Sequence, residues 1–377
     1  MGAEEQPFDK LREGGVESRT IPLATGTLHL EIDRALWPLD SLCDFAVRRN
    51  PKRAFLIVSK VLGRHIPAAP SLMRRSVQDL AAQVPNGLPG PALVVGLAET
   101  AVCLGQTLFE ELARRPGFAG HFIHSTRQRI DHPLLCRFEE PHSHASAHLV
   151  YRPPGVDLGA VRALILVDDE VSTGTTLTNL TGALLEHLPR CEQVVAAALT
   201  DWSGGTDWLA RMPRPATCVS LLSGSLRWEP GAAPPPADTA AFSRAAPALG
   251  RMERHRNYGR LGWNGSPLTI PPCGPPDHSL RVVATGEFTY PPFLLAERLE
   301  AVGHDLVMQS TSRSPALPGG AIRHALSFGD NYATGLPNFL YNADPADGRA
   351  SLICHETPPG SIDAGLIAAL NATCISF

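Results

Sequence analysis

The sequence predicts an α/β protein in which a mostly parallel sheet is flanked by helices, followed by a second α/β domain. Short continuous apolar runs, typical of strands buried on both faces of a parallel sheet, recur along the 377 residues. Segments with apolar residues at helical spacing lie between these runs, as in strand–helix–strand units. The length favours two domains, and 44% hydrophobic with 19% charged residues is the composition of a globular chain.

Six apolar runs before residue 223 are strand candidates, and helical spacing fills two of the intervals between them. Apolar residues recur every three or four positions at 101–112 and again at 177–188. We therefore expect strands and helices to alternate along this part of the chain. The strand candidates are Ala54–Val58, Ala92–Val95, His121–Ile123, Ala163–Val167, Val194–Leu199 and Cys218–Leu222.

Changes in composition divide the chain into four segments. Residues 1–50 are expected to form an N-terminal extension, and the α/β pattern fills residues 51–222. Residues 223–280 hold two proline-rich stretches and few periodic apolar positions, which predicts a linker that is partly disordered. The α/β pattern resumes in the second domain, residues 281–377.

A basic stretch, Arg251–Gly262, lies inside the predicted linker. It is either a solvated part of the linker or a segment that folds over an anionic ligand. No motif with a known mechanism matches it, so the solvated linker is the favoured interpretation.

The charge and the cysteines argue against several classes of protein. A net charge of -4 argues against a general nucleic-acid binder, and no apolar run reaches the roughly 18 residues of a membrane span. The charged N-terminus lacks the apolar region of a secretory signal. The eight cysteines form neither a CxxC pair nor a metal-ligand spacing, which favours a reduced, cytoplasmic protein with buried thiols.

The clearest chemical signal is the segment 163–176, ALILVDDEVSTGTT. An apolar strand ends in Asp168 and Asp169, and a short polar turn then leads into a helix. Gly174 permits a tight turn, and the backbone N–H groups of the turn and of the helix start form an anion-binding site. Hydroxyl donors for phosphate oxygens come from Ser172, Thr173, Thr175 and Thr176.

The two carboxylates need partners other than the phosphate, which would repel them. Ribose hydroxyl groups and a hydrated Mg²⁺ ion are the natural partners of Asp168 and Asp169 beside a phosphate site. In open α/β sheets ligands bind beyond the carboxyl ends of the strands, where this turn is expected to lie. The alternative is an ordinary strand–helix turn with a capping hydroxyl, for which one Ser or Thr would suffice.

Residues 163–176 closely resemble the motif with which type I phosphoribosyltransferases bind 5-phosphoribosyl-1-pyrophosphate (PRPP). The resemblance implies the type I fold, PRPP as co-substrate, and Mg²⁺ held by Asp168 and Asp169 directly or through water. It also implies that residues 172–176 hold the 5-phosphate. Purine-type members place an Asp where this chain has Ser172, so the pattern is closer to members acting on orotate-like acceptors, or to unusual ones.

The resemblance also points to a pyrophosphate loop and to a mobile hood. The loop follows the strand at 92–95 and contains no Lys or Arg, so its backbone N–H groups would have to do more of the binding. A plain strand-to-helix turn with Glu99 at a helix N-terminus is the alternative. The hood is expected within 124–151, where Arg127 and Arg129 would reach the pyrophosphate. The loop residues are Gly96, Leu97, Ala98, Glu99 and Thr100.

The hood segment also holds His142, His144 and His148 beside Glu139 and Glu140. The spacing of these residues fits no standard zinc site. Three interpretations stay open: a solvated loop, groups that handle the acceptor or a proton, and a metal site.

The second domain resembles the first in the order of its parts. RVVATGEFT at 281–289 parallels LVVGLAETA at 93–101, and STSR at 310–313 parallels STR in the hood segment. GDNYATG at 329–335 is expected to match DDEVSTG as a damaged phosphate loop, because Leu336-Pro337 follows it in place of two threonines. The sequence therefore predicts a degenerate phosphoribosyltransferase-like domain.

QSTSRSP at 309–315, with GEFTYPPF and FGDNY, also resembles the TRSP domain, which is fused to phosphoribosyltransferase domains in tellurite-resistance-type gene clusters. The signature departs slightly and reads Ser-Arg-Ser-Pro. The resemblance implies a setting in which a nucleoside-like metabolite is made. Residues of this domain expected to build the acceptor side of the site are Arg313, Ser314, Asp330 and Asn331.

The leading prediction is a Mg²⁺-dependent transfer of ribose-5-phosphate from PRPP to a small acceptor. The alternative is a regulator that senses PRPP or a nucleotide without turnover, favoured by the missing lysines of the pyrophosphate loop. An RNA-binding accessory protein, suggested by the basic stretch alone, is opposed by the net charge. The expected partners are small molecules, without membrane or nucleic acid, and a homodimer is kept open.

Overall fold

The computed structural model describes residues 16–48, 53–139, 147–231, 257–272 and 279–377. The central sheet consists of seven strands: β1 Glu17–Leu23, β2 Gly26–Ala35, β5 Ala92–Gly96, β6 Gly120–His124, β9 Ala163–Val171, β10 Gln193–Asp201 and β11 Ala216–Pro230. Their order is β1-β2-β11-β10-β9-β5-β6. The five strands from β11 to β6 run parallel, whereas β1 and β2 are added antiparallel. The predicted α/β class with a mostly parallel sheet is confirmed.

Helices flank this sheet because each turns an apolar face toward it. The helices of the first half are α1 Leu39–Leu42, α2 Pro70–Gln83, α3 Ala101–Ala113 and α4 Thr175–Leu185. Helix α3 lies directly against β5, where a Cβ on Gly105 would come within 2.9 Å of the Cα of Gly96. This close approach fixes the loop between β5 and α3. None of the helices in the described ranges is long and apolar enough to cross a membrane.

A small antiparallel sheet stands beside the central one and draws strands from both ends of the chain. It consists of β3 Cys43–Arg48, β4 Phe55–Ser59 and β14 Ala316–Gly320, in the order β14-β3-β4. Because β14 pairs with β3, backbone hydrogen bonds join the second half of the chain to the first. A separate hairpin is formed by β7 Leu134–Glu139 and β8 Ala147–Tyr151.

The second half has its own parallel sheet. Its strands are β12 Leu280–Ala284, β13 Leu306–Ser310, β17 Ala350–His355 and β18 Thr373–Ser376, in the order β13-β12-β17-β18. Helices α5 Tyr290–Ala301 and α6 Ala364–Leu370 connect them, and β15 Ala325–Gly329 pairs with β16 Pro337–Tyr341 in a hairpin. The order, direction and connecting helices correspond to β6-β5-β9-β10 of the central sheet.

The structure corrects the alignment that the sequence suggests between the two halves. GDNYATG at 329–335 lies in the turn between β15 and β16, and therefore corresponds to the β7–β8 hairpin. Strand β17 holds the place of β9, so the segment equivalent to 168–174 is 355–361. The prediction was wrong because an Asp followed by Thr-Gly suits a hairpin turn as well as a phosphate loop.

Parts of the predicted N-terminal extension and linker belong to the folded body. Strands β1, β2 and β3 occupy most of 17–48, and β11 continues to Pro230. Within 257–272, Trp263 and Phe122 exchange backbone hydrogen bonds of 2.8 Å, and Arg260 is only 3% exposed. Arg260 donates to both carboxylate oxygens of Glu356, at 3.0 and 2.5 Å. This part of the basic stretch is thus a packed element, because its cation meets a carboxylate that is distant in sequence.

Arg260→Ala is expected to destabilise the protein by about 3–5 kcal/mol, since it leaves a buried carboxylate without its partner. Urea unfolding at neutral pH measures the change. The matched control is Arg227→Ala, which removes an arginine whose side chain is 65% exposed and is expected to change stability by less than about 0.5 kcal/mol. Equal unfolding midpoints for both variants would show that the segment does not contribute to stability.

Candidate active site

The predicted site residues converge on one cavity at the carboxyl ends of β5 and β9. Three predicted residues of the described ranges do not line it: Gly96, which ends β5, Asp330 and Asn331. The predicted residues that line it are Leu97, Ala98, Glu99, Thr100, Arg127, His148, Asp168, Asp169, Ser172, Thr173, Gly174, Thr175, Thr176, Arg313 and Ser314. Residues from both halves of the chain therefore meet in this cavity.

The acidic pair is fixed by short hydrogen bonds. Asp169 accepts one from the Thr100 hydroxyl at 2.8 Å, and Asp168 accepts one from the backbone N–H of Asp169 at 2.9 Å. The bond to Thr100 links the end of β9 to the loop after β5. Burial and repulsion from Glu170 raise the pKa of Asp169 to about 6.

The turn 172–176 lines the cavity and leads into α4. Gly174 has a φ of 70°, and a Cβ at this position would come within 2.1 Å of the Trp208 ring, so only glycine fits. No side chain in the described ranges caps α4 at Gly174. The hydroxyls of Thr173 and Thr175 lie 2.9 Å apart at the mouth of the turn. A phosphate group would complete the hydrogen bonding of this helix start.

The loop after β5 receives its positive charge from other segments of the chain. Burial would raise the pKa of Glu99, but the Arg64, Arg313 and Arg127 charges outweigh that effect and hold it below its usual range. Arg64 donates to the Glu99 carboxylate at 2.5 Å, and the backbone N–H of Arg313 also helps to lower the pKa of Glu99. The loop has no cation of its own, and the fold supplies three.

Of the three histidines in the hood segment, the structure describes only His148. His148 is buried, stacks on Phe138 with a centroid distance of 4.5 Å, and is hydrogen bonded to the Ser125 hydroxyl at 3.0 Å. Ser125 in turn accepts the backbone N–H of Ala98 at 2.9 Å. His148 therefore supports the loop after β5 from the cavity wall. His142 and His144, with Glu140, lie outside the described residues.

Two residues predicted on the acceptor side do not face the cavity. Asp330 accepts hydrogen bonds from the backbone N–H and hydroxyl of Thr334 and from Asn338, and its carboxylate lies 4.0 Å from the Arg313 guanidinium. Asn331 is buried and donates to Thr357. Their polar atoms are satisfied inside the second half, and Asp330 acts on the site through Arg313.

Several residues of the cavity wall escaped the sequence analysis. Leu56, Ile57, Arg48 and Arg53 come from β3, β4 and the segment joining them. The basic run RRNPKR at 48–53 is the signal that could have identified the arginines. Arg64 and His65 also line the cavity, and burial followed by the Arg64 charge lowers the pKa of His65 to about 3. No local sequence pattern identifies Arg64 and His65 as residues of the cavity wall.

The oxygen ligands at the end of β9 fit a magnesium ion. In the ranges that the structure describes, no group of three or more His, Cys, Asp or Glu side chains is arranged to hold a metal alone. Mg²⁺ is usually bound by one or two carboxylates together with waters and substrate phosphates, which matches Asp168 and Asp169. A cation there would also offset the burial and repulsion that raise the pKa of Asp169.

Solved structures of phosphoribosyltransferases are similar to part of the chain. The adenine phosphoribosyltransferase of Rhodothermus marinus is 18% identical, over 48% of this chain and 93% of that one, with a TM-score of 0.32. The Trypanosoma brucei enzyme, in complex with AMP, pyrophosphate and ribose-5-phosphate, is 12% identical over 48% and 75%, with a TM-score of 0.33. A hypoxanthine-guanine phosphoribosyltransferase of Bacillus anthracis is 18% identical over 36% and 69%, with a TM-score of 0.24. A search of curated proteins gives no match.

Two protein families match the sequence in succession. Residues 42–225 match the family described as phosphoribosyl transferase. Residues 274–370 match the TRSP domain, described as lying C-terminal to that family's domain. The resemblance indicated by the sequence is confirmed, and the chain belongs to the phosphoribosyltransferases that carry a C-terminal TRSP domain.

Proposed function

We propose that the protein uses Mg²⁺ and PRPP to transfer ribose-5-phosphate to a small acceptor, with release of pyrophosphate, in the synthesis of a nucleoside-like metabolite. The observation that carries this proposal is the pairing of two carboxylates at the end of β9 with an uncapped helix start five residues later. The carboxylates suit a ribose and a cation, whereas the helix start suits a phosphate. A sugar phosphate carries both ribose hydroxyls and a phosphate, and so suits the two features together.

The pyrophosphate of PRPP would lie against the loop 97–100. Arg127 and Arg313 line the cavity on this side, and both charges act on Glu99. Arg313 is therefore assigned to the pyrophosphate rather than to the acceptor side, where the sequence placed it. Two guanidinium groups can bind phosphate oxygens through paired hydrogen bonds and stabilise the leaving group as charge develops on it. The sensor alternative was favoured because the loop 96–100 contains no cation. Since Arg127 and Arg313 supply cations beside this loop, we favour turnover over sensing.

The acidic pair would orient the ribose. Asp168 and Asp169 accept hydrogen bonds from the ribose hydroxyls or hold Mg²⁺, which neutralises charge on the pyrophosphate when bound. The 5-phosphate is held by the turn 172–176, so the sugar is fixed at both ends. Such positioning makes the reaction effectively intramolecular.

The acceptor would approach from the side of the small antiparallel sheet. Leu56 and Ile57 supply apolar surface there, and Arg48 and Arg53 supply charge. Arg53 pairs with Glu170 at 2.5 Å, next to the acidic pair. This wall suits a small acceptor with an apolar face and an acidic or polar edge.

Asp168→Asn and Asp169→Asn are each expected to weaken Mg²⁺-dependent PRPP binding by about 10- to 100-fold, because a hydrogen bond to a charged group contributes about 1.5–3 kcal/mol. Titration calorimetry with PRPP and MgCl₂ measures the change. Asp201→Asn is the matched control, since Asp201 ends the neighbouring strand β10 and does not line the cavity. Unchanged affinity in both site variants would refute the assignment.

PRPP affinity is expected to fall as the pH drops through about 6, where Asp169 becomes protonated. The raised pKa means that the folded protein binds this proton more readily, and the neutral carboxyl no longer attracts a cation. Above about pH 7 the group is ionised and the affinity levels off. Binding measured between pH 5 and 8 tests this.

The phosphates of PRPP also titrate near pH 6, so the wild-type curve alone is ambiguous. Asp169→Asn separates the two effects, because its remaining pH dependence comes from the ligand. Identical relative profiles for wild type and variant would contradict the role of Asp169.

Arg313→Ala is expected to weaken pyrophosphate binding at least about tenfold, while Arg313→Lys recovers part of the loss because it keeps the charge without the planar fork. Fluorescence or calorimetric titration with pyrophosphate measures both. The control is Arg323→Ala, an exposed arginine of the same half. Equal pyrophosphate affinity in Arg313→Ala and wild type would remove Arg313 from the site.

A further inference from the structure

The two halves of the chain present equivalent loops to each other. Glu99 lies three residues after the end of β5, and Glu287 lies three residues after the end of β12. In the same way Arg127 and Arg313 each lie three residues after the end of β6 and β13. The equivalence extends from the sheets to individual side chains beside the cavity.

The hydrogen bonds that shape these loops are also equivalent. The backbone N–H of Ala98 donates to the Ser125 hydroxyl at 2.9 Å, and that of Gly286 donates to the Thr311 hydroxyl at 2.8 Å. Thr126 exchanges backbone bonds with Leu149 at 2.8 and 2.9 Å, and Ser312 exchanges them with Phe339 at 2.8 Å. Each glutamate loop therefore stands beside an arginine turn built in the same way.

Each glutamate then binds the arginine turn of the other half. The carboxylate of Glu287 accepts the backbone N–H of Arg127 at 2.6 Å and the Thr126 hydroxyl. Arg313 acts in turn on Glu99, because its charge and its backbone N–H lower the pKa of that carboxylate. Each glutamate thus interacts with the arginine turn of the other half, so the halves are related as the two members of a pseudo-symmetric pair.

The cations that accompany the two glutamates are equivalent as well. Arg64 follows Gly63 and pairs with Glu99, whereas Arg260 follows Gly259 and lies 3.5 Å from Glu287. The segment after each arginine crosses to the other half: Ala68 exchanges backbone bonds with Met308 as Trp263 does with Phe122.

The two halves differ at the carboxyl ends of the equivalent strands β9 and β17. At β9 the carboxylates face an open cavity, but at β17 Glu356 is bound by Arg260 and by the Tyr332 hydroxyl at 2.8 Å. The second location is thus filled by the protein's own side chains. Glu287 is 4% exposed and cannot touch a ligand, yet it holds two groups of the Arg127 turn.

We infer that Glu287 is a positioning residue that fixes Arg127 in the active site, and that the second half serves as a built-in partner whose own site is closed. The carboxylate locks the backbone of the Arg127 turn, which limits the directions in which the guanidinium can reach. The inference rests on the proposed function only in assigning Arg127 to the pyrophosphate.

Glu287→Gln tests this with a readout that needs no ligand. The variant keeps the shape but weakens both bonds to the Arg127 turn, so exchange of the amide hydrogens at 126–128 is expected to accelerate at least about tenfold. Glu297→Gln is the matched control, because Glu297 binds Arg74 in the helix layer between the halves. Unchanged exchange at 126–128 in Glu287→Gln would overturn the positioning role.

Pyrophosphate affinity supplies the functional arm through a double-mutant cycle. Glu287→Gln is expected to weaken binding at least about tenfold in the wild-type background and by less than about twofold when Arg127→Ala is present, because its effect passes through Arg127. Equal losses in both backgrounds would show that Glu287 acts independently of Arg127 and would overturn the inference.

Two further measurements distinguish failure of this inference from misfolding of the variant and from failure of the proposed function. If Glu287→Gln does not fold, Thr126→Val removes one of the two bonds to Glu287 with little change in shape. Because this variant also removes the bond from the backbone N–H of Gln128 to the Thr126 hydroxyl, exchange is read at the Arg127 amide alone, where the same acceleration is expected at reduced size together with the affinity change. If the wild type binds neither pyrophosphate nor PRPP, the proposed function fails, while the exchange measurement still decides whether Glu287 fixes the turn.

Discussion

The structure depends on placing carboxylates at the junction of the two halves and compensating each with groups from elsewhere in the chain. Glu99, Glu287 and Glu356 lie where water is largely excluded, and an unpaired charge in such a place is strongly unfavourable. Arg64 and Arg260 meet this need, and each also anchors a segment that crosses between the halves. The ion pairs that hold the two halves together therefore also fix the shape of the site loops.

The same compensation gives the cavity its charge pattern. Its wall combines carboxylates on β9 and the β5 loop with arginines that come from β3, the β6 turn and the TRSP signature. Arg48, Arg64 and Arg127 belong to the first half and Arg313 to the second, so the set of cations is complete only when both halves are in place. The proposed PRPP site would therefore be a property of the assembled molecule rather than of the first domain alone.

The contrast between the two helix starts explains why one location is open and the other closed. Asp363 caps α6 by accepting the backbone N–H groups of Gly365 and Leu366, and it also accepts that of Gly329. The N-cap of helix α4 is Gly174, which has no side chain to accept these bonds, and only the Thr173 hydroxyl approaches the first N–H of the helix, at 3.4 Å. A carboxylate built into the chain satisfies the first helix, whereas the second leaves its donors for an anion.

The sequence by itself determined the α/β class, the strand that ends in Asp168 and Asp169, and the glycine turn that follows. These features are contiguous, so local periodicity and spacing are enough to reveal them. The sequence could not assign Arg64, Arg260 or Glu287, because Arg64 meets its backbone acceptor on Gly286 across 222 positions. It also misplaced 329–335, since a short polar turn fits several locations until sheet order is known. Only the tertiary structure could assign these residues, because the partner of each buried charge depends on which surfaces of the two halves meet. A local sequence pattern contains no information on that contact.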